Sequence, residues 1–293
     1  MKKHKRRKVE IAVISDVHLG TFGCRALELH NYLKTINPKI LILNGDIIDI
    51  WQFNKRYFPK DHLKVIKQLM SFITSGVKVY YITGNHDETL RRFDGFRLGS
   101  FEIVNKVVLD IDGKKGWFFH GDVFDVTMQH SKWLAKLGGV GYDTLIMINT
   151  AFNWISETLG YGRLSFSKKI KNSVKSAVKF INDFETTAAE IAIDNHYEYV
   201  VCGHIHQPEM KVIQSDKGET IYLNSGDWIE NLTALEYNNY QWKLYEYEKD
   251  ELAQKLPNSI EVNDVELIKA EQTSSQLFEE LLVEFNIQKF TRS

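Results

Sequence analysis

Five short clusters along the 293-residue chain carry residue types that bind metal ions. They are Asp16 with His18, Asp46, Asn85, His120, and His204 with His206. Each stands where an apolar run gives way to polar residues, at the end of an expected strand. The donors are carboxylates, an amide oxygen and imidazoles, with no thiolate. Such a set suits Mn²⁺, Fe²⁺ or Zn²⁺ at a reactive site better than a structural zinc, which favours cysteine. Seven ligands exceed one tetrahedral ion but suit two ions that share a carboxylate. Two cations about 3.5–4 Å apart clamp phosphate oxygens and generate hydroxide at neutral pH.

His86 follows Asn85 and is left over from this ligand set. It is placed to protonate a leaving-group oxygen or to bind phosphate, with Asp87 as the group that orients it. Glycines 45, 84, 121 and 203 each neighbour a cluster, where a tight turn or a close backbone approach is needed. Taken singly, each cluster reads as a turn or a satisfied structural histidine. Five such clusters at five strand ends argue instead for one site.

The elements that must position them follow a regular order. Residues 11–14 form a short buried strand, and Asp16 and His18 leave it at once. Residues 25–36 have helical spacing, stopped by Asn37 and Pro38. A second apolar strand, 40–43, runs into Gly45 and Asp46. A helix over 63–72 and a strand over 77–82 complete a parallel α/β layout, whose sites gather outside the strands' carboxyl ends. Strands at 106–111 and 116–119 flank Asp112-Gly113, a hairpin turn signal. Residues 123–195 carry no strand pattern and read as helical. Strands are expected again at 199–202, 210–214, 220–223 and 241–247. From 248 to 293 the chain is an acidic tail with one helix, in which Leu277, Leu281 and Phe285 share a face.

Composition narrows the class. Hydrophobic residues at 43% and charged residues at 26% are ordinary for a soluble globular protein. A net charge of -1 offers no electrostatic case for nucleic acid as a partner. Two distant cysteines, Cys24 and Cys202, indicate a reduced, cytoplasmic setting. The basic head over residues 2–8 has no apolar segment behind it, so it is not read as a secretory signal. It reads first as a solvated tail, and in the sharper alternative as a weak contact with the anionic inner-membrane surface, about 1 kcal/mol per basic residue.

The clusters resemble those of the calcineurin-like metallophosphoesterase superfamily. The match runs D-x-H at 16–18, G-D-x-x-D at 45–49, G-N-H-D at 84–87, H-G-D at 120–122 and G-H-x-H at 203–206. The resemblance implies a four-layer αββα sandwich over residues 9–247 and attack on phosphorus by hydroxide that the metals generate. It implies one metal on Asp16, His18, Asp46 and His206, and another on Asp46, Asn85, His120 and His204, with Asp46 bridging.

Within the superfamily the chain looks most like the UDP-2,3-diacylglucosamine diphosphatases of lipid A synthesis. Trp51 after the second motif, a helical insertion after H-G-D, and N-S-G-D-W at 224–228 carry that likeness. That branch usually has Arg where this chain has His86, so a paralogue acting on a related phosphoester or pyrophosphate is a further expectation. The insertion, 123–195, would form a cap. Phe152 and Trp154 would line an acyl groove, Arg163, Lys168 and Lys169 would meet phosphate or a membrane, and Asp122 would lie near the substrate. The expected products are UMP and a lipid sugar 1-phosphate. The rival expectations are a generic phosphodiesterase or nucleotide phosphatase, and a non-catalytic scaffold on the same fold.

Overall fold

Alternation along the strands sorts this chain into layers. In a computed structural model that describes residues 6–50, 58–126 and 166–256, β1 (Arg7–Ile14) turns Ile11 and Val13 one way and Ala12 and Ile14 the other. The period of two is the strand's own geometry. Ala12 and Ile14 pack beneath α1 (Ala26–Thr35) and α2 (Lys60–Thr74), while Ile11 and Val13 face a second sheet. The same sorting repeats in β2 (Ile36–Asn44), with Leu41 and Leu43 under the helices and Ile42 between the sheets.

The first sheet has seven strands in the order β12-β11-β1-β2-β3-β5-β4. Its members besides β1 and β2 are β3 (Lys78–Ile82), β4 (Arg97–Leu98), β5 (Phe101–Val104), β11 (Thr233–Asn238) and β12 (Gln241–Glu246). β1, β2, β3 and β5 run parallel. The second sheet has the order β6-β7-β8-β10-β9, from β6 (Lys106–Ile111), β7 (Lys114–Phe119), β8 (Tyr199–Cys202), β9 (Glu209–Ser215) and β10 (Gly218–Asn224). β7, β8 and β10 are parallel to one another. Val200, Cys202 and Tyr222 on its far face pack against α3 (Phe166–Asp194) through Phe184, Ala188 and Ala192. Helices, sheet, sheet and helix make the four-layer αββα sandwich. Each fully buried aliphatic side chain in these layers contributes about 1.5–3 kcal/mol.

Several boundaries differ from the sequence reading, each for a local reason. Pro38 does not precede the second strand but lies inside it, paired with Val9. β3 joins β2 only from Ile40 onward, so Pro38 sits where the strand has one neighbour and loses no second ladder bond. The β4–β5 hairpin and β11 are additions. β11 pairs antiparallel with both β1 and β12, and its turn uses Asn239 and Tyr240 at positive φ rather than a glycine. The expected Asp112-Gly113 hairpin joins β6 and β7. Residues 127–165 and 257–293 lie outside the described residues, and with them Phe152, Trp154, Arg163 and the expected tail helix. So do Trp51 and the side chains of Lys168 and Lys169. Among the described residues, no helix is long and apolar enough to cross a membrane.

Candidate metal centre

All the expected ligands sit at carboxyl ends of parallel strands. Asp16 and His18 follow β1, Asp46 follows β2, and Asn85 follows β3. His120 follows β7, and His204 and His206 follow β8. The first three loops come from one sheet and the last two from the other, so the site lies where the sandwich edges meet.

The donors form overlapping groups. Asp16, His18 and His206 each place a ligand atom within 4.8 Å of the others, as do Asp46, His120 and His204. His18, Asp46 and His86 make a third group. Asp46 therefore belongs to two of the three groups. His206 Nε2 lies 3.2 Å from Asp16 Oδ1, and His120 Nε2 lies 3.2 Å from Asp46 Oδ2. Asn85 Oδ1 is 3.3 Å from His120 Nε2. His18 Nε2 is buried with no hydrogen-bond partner, as a nitrogen kept for a cation would be. The donor set, its shared carboxylate and this orphaned nitrogen fit a pair of divalent cations.

Backbone strain marks the same residues. Asp16, His18, Asp46, His204 and His206 all have φ between 53° and 67°, in the left-handed region. Such a conformation costs about 1–3 kcal/mol per non-glycine residue and persists where surrounding structure imposes it. Here hydrogen bonds impose it. Val17 and His18 both donate from their amides to Asp46 O at 2.9 Å. The His204 amide donates to Asp16 Oδ2 at 3.0 Å, and the His86 amide to Asp46 Oδ1 at 2.8 Å. Gly84 is obligatory, because a Cβ there would fall on the Asp46 carboxylate and 2.7 Å from the Asp46 amide nitrogen.

Burial and mutual charge set the electrostatics. Burial pushes the Asp46 carboxyl up, but the His120, His18 and His86 imidazoles outweigh it and hold it far below the usual carboxylate range. Asp16 is lowered too, because His206 overrides its own desolvation. Burial alone would lower His206, yet Asp16 beside it raises it to about 9. Asp46 likewise carries buried His120 well above an ordinary histidine. Imidazolium protons thus balance the carboxylates, and bound cations would displace those protons.

The carboxylate at His86 is not the expected one. Asp87 is buried, and accepts from the amides of Gly84 at 2.6 Å and Ile47 at 2.9 Å, and from the Tyr81 hydroxyl at 2.6 Å. It ties the β2 and β3 loops together. Burial and the nearby Asp46 charge raise its carboxyl. Asp49 Oδ2 instead lies 2.9 Å from His86 Nδ1 and 3.4 Å from His18 Nδ1. Burial would lower His86, but the Asp49 hydrogen bond and the charges of Asp46 and Asp49 raise it overall. Asp49 stands last in the G-D-x-x-D motif, and the spacing from Asp46 was the signal for it.

Other residues support the loops, and of these Arg91, Asp125 and His62 are not apparent in the sequence. Arg91 pairs with Asp122, which follows His120 and Gly121. Asp122 is therefore a paired carboxylate, and its charge is felt at His120. Asp125 lies 3.0 Å from His204 Nε2. His62 on α2 accepts from the Gly20 amide at 3.0 Å, bracing the loop that carries His18. The 224–228 stretch braces the site from below. Trp228 donates its amide to Asp16 O at 3.1 Å, Ser225 Oγ lies 2.7 Å from Ser15 Oγ, and Asn224 Nδ2 donates to Gly203 O at 2.9 Å. Asp227 closes the turn by accepting from the amides of Ile229 and Glu230.

The chain is similar to known proteins. The calcineurin-like phosphoesterase family matches residues 9–208. A UDP-2,3-diacylglucosamine hydrolase of Aliivibrio fischeri (strain MJ11) is 24% identical over 252 residues, covering 82% of this chain and 98% of the relative. A protein of the same name from Blochmanniella pennsylvanica (strain BPEN) is 24% identical over 245 residues, covering 78% and 92%. A solved archaeal phosphodiesterase superposes with a TM-score of 0.39 at 13% identity, over 80% of this chain and 98% of that one.

Proposed function

Because the chain belongs to the calcineurin-like phosphoesterase family, a family of metal-dependent hydrolases, we propose that it hydrolyses the pyrophosphate of UDP-2,3-diacylglucosamine or a close analogue. The products would be UMP and an acylated sugar 1-phosphate. One observation carries the hydrolytic reading: Asp46, at the end of β2, joins donors from both sheets in two neighbouring clusters. The names of the relatives support the substrate.

Asp16, His18, Asp46 and His206 would hold one cation, and Asp46, Asn85, His120 and His204 the other. Mn²⁺ suits the set best, with Fe²⁺ or Zn²⁺ as alternatives. When bound, the pair supplies Lewis acidity toward the phosphate oxygens and a water of lowered pKa. The protein's part is placement and proton movement. Asp49 fixes His86 through Nδ1, leaving the other ring nitrogen, on a partly exposed side chain, for the leaving oxygen. Against burial, the Asp49 hydrogen bond and the charges of Asp46 and Asp49 raise the pKa of His86, which favours the protonated, donating form. Asp87 serves this step only through the backbone it holds. Asp122 acts with Arg91 as a pair beside the centre.

In this reading residues 9–247 form the catalytic domain, 123–195 a helical cap inserted into it, and 248–293 a separate acidic tail. Phe152 and Trp154 would meet acyl chains, and Arg163, Lys168 and Lys169 a phosphate or lipid headgroup. The chain would work in the cytoplasm, its basic residues 2–8 touching the inner membrane. His86 in place of Arg favours a second reading, a paralogue that cleaves a related diphosphate.

The test compares turnover of UDP-2,3-diacylglucosamine, UDP-N-acetylglucosamine and bis-p-nitrophenyl phosphate by the Mn²⁺-loaded protein. The acylated nucleotide should exceed the others in kcat/KM by about 100-fold, or some 2.7 kcal/mol. Equal or faster cleavage of the unacylated substrates would overturn the lipid assignment.

A further inference from the structure

One histidine of the second cation site has a ring nitrogen already committed elsewhere. His204 Nε2 lies 3.0 Å from Asp125 Oδ1. The His204 side chain is 9% exposed and that of Asp125 22%, so the contact is largely shielded from water. Asp125 belongs to none of the groups of mutually close donors found among the described residues. It therefore meets the ring without sharing a donor group with it.

The contact is built by local structure. Asp125 lies on the short 3-10 turn Asp122–Val126, which leaves β7 directly after His120 and Gly121. The Phe124 amide donates to Gly121 O, and the Phe124 ring packs edge-on against Phe119 and Phe184 at 5.5 and 5.4 Å. On the other side, the His204 backbone is held at φ 67° with its amide on Asp16, and its ring lies edge-on to His120 at 5.1 Å. One turn thus delivers His120 to the cluster and Asp125 to the outer edge of His204.

A neutral imidazole has one N–H and one lone pair, and the partner of the N–H decides which nitrogen can ligate. We propose that Asp125 is a positioning residue for the second cation. It accepts the Nε2–H of His204, so that the lone pair rests on Nδ1 for the metal, and it makes that nitrogen a stronger donor. The inference rests on the two-cation reading above. It assigns Asp125 no contact with substrate.

The test is titration of metal-free protein with Mn²⁺, read by calorimetry and by the exchange-coupled electron paramagnetic resonance signal of a manganese pair. Wild type should take up two equivalents and show the coupled signal. In Asp125→Ala the second equivalent should bind about 10–100-fold more weakly while the first is unchanged. At two equivalents the coupled signal should give way to that of isolated Mn²⁺. Asp125→Asn, which keeps the shape and an oxygen acceptor, should recover part of the lost affinity and the coupled signal. It also serves should the alanine variant fail to fold. Retention of the second equivalent within twofold of wild type by either variant, with the coupled signal intact, would overturn the role of Asp125. Uptake of a single Mn²⁺ by wild type would overturn the paired-cation reading itself, and it shows without any substitution.

Discussion

Replacing His62 by leucine should destabilise the protein at neutral pH and much less in mild acid. His62 is buried on α2, and its Nδ1 accepts the Gly20 amide at 3.0 Å, two residues beyond His18. Only a ring with a free Nδ1 lone pair can do this. Burial is the main cause that lowers its pKa from 6.5 to about 4. The unfolded chain then binds more protons than the folded one between those values, so this contribution to stability is complete above pH 6.5 and is lost as pH falls toward 4. At pH 5 the linkage has removed about 2 kcal/mol, from 1.5 units at 1.36 kcal/mol each. Leucine leaves the Gly20 N–H unsatisfied at every pH, a cost of about 1–3 kcal/mol. The assay is urea unfolding of metal-free wild type and His62→Leu at pH 7.5 and pH 5. The stability gap between them should shrink by about 2 kcal/mol at the lower pH. His30, also lowered to about 4, is common to both proteins and cancels in the comparison. A gap that is the same at both pH values would refute the reasoning.

Three further outcomes follow from the site. Gly84→Ala forces the Asp46 loop aside, and circular dichroism should show a folded protein that no longer retains paired cations in metal analysis. His86→Ala should lower kcat about 10²–10⁴-fold in steady-state assays with both cations still bound, because it removes a proton donor and no required ligand. Mn²⁺ affinity of the metal-free protein should rise between pH 6 and pH 9, by up to about tenfold per unit for each proton displaced. His206, raised to about 9 by Asp16, is one source of those protons, and calorimetry in buffers of different ionisation enthalpy counts them.

The parallel strands and their polar ends were legible because a buried strand is a short apolar run and a ligand loop breaks it abruptly. β11 was not, since a hairpin turned by Asn239 and Tyr240 has no glycine to announce it. The residues that converge in the donor groups, His86 apart, could be picked out by type and spacing. The partners of those ligands could not. Asp87 adjoins His86 in sequence, yet its carboxylate points at the amides of Gly84 and Ile47, while Asp49, from the preceding loop, reaches the ring. Asp125 and His62 act across the fold on residues 79 and 42 positions away, a distance that no local pattern encodes. Their geometry depends on β7 lying beside β8 and α2 beside the loop after β1, which only the folded chain specifies.

The paired-cation centre is tested most directly by counting metal in wild type and Asp46→Asn, purified from cells without chelator, by inductively coupled plasma mass spectrometry. Among the described residues, Asp46 is the carboxylate that shares one donor group with His18 and another with His120 and His204, so wild type should carry two divalent ions per chain and the variant fewer than one, at unchanged far-ultraviolet circular dichroism. A variant that retained both ions and its turnover would contradict the account.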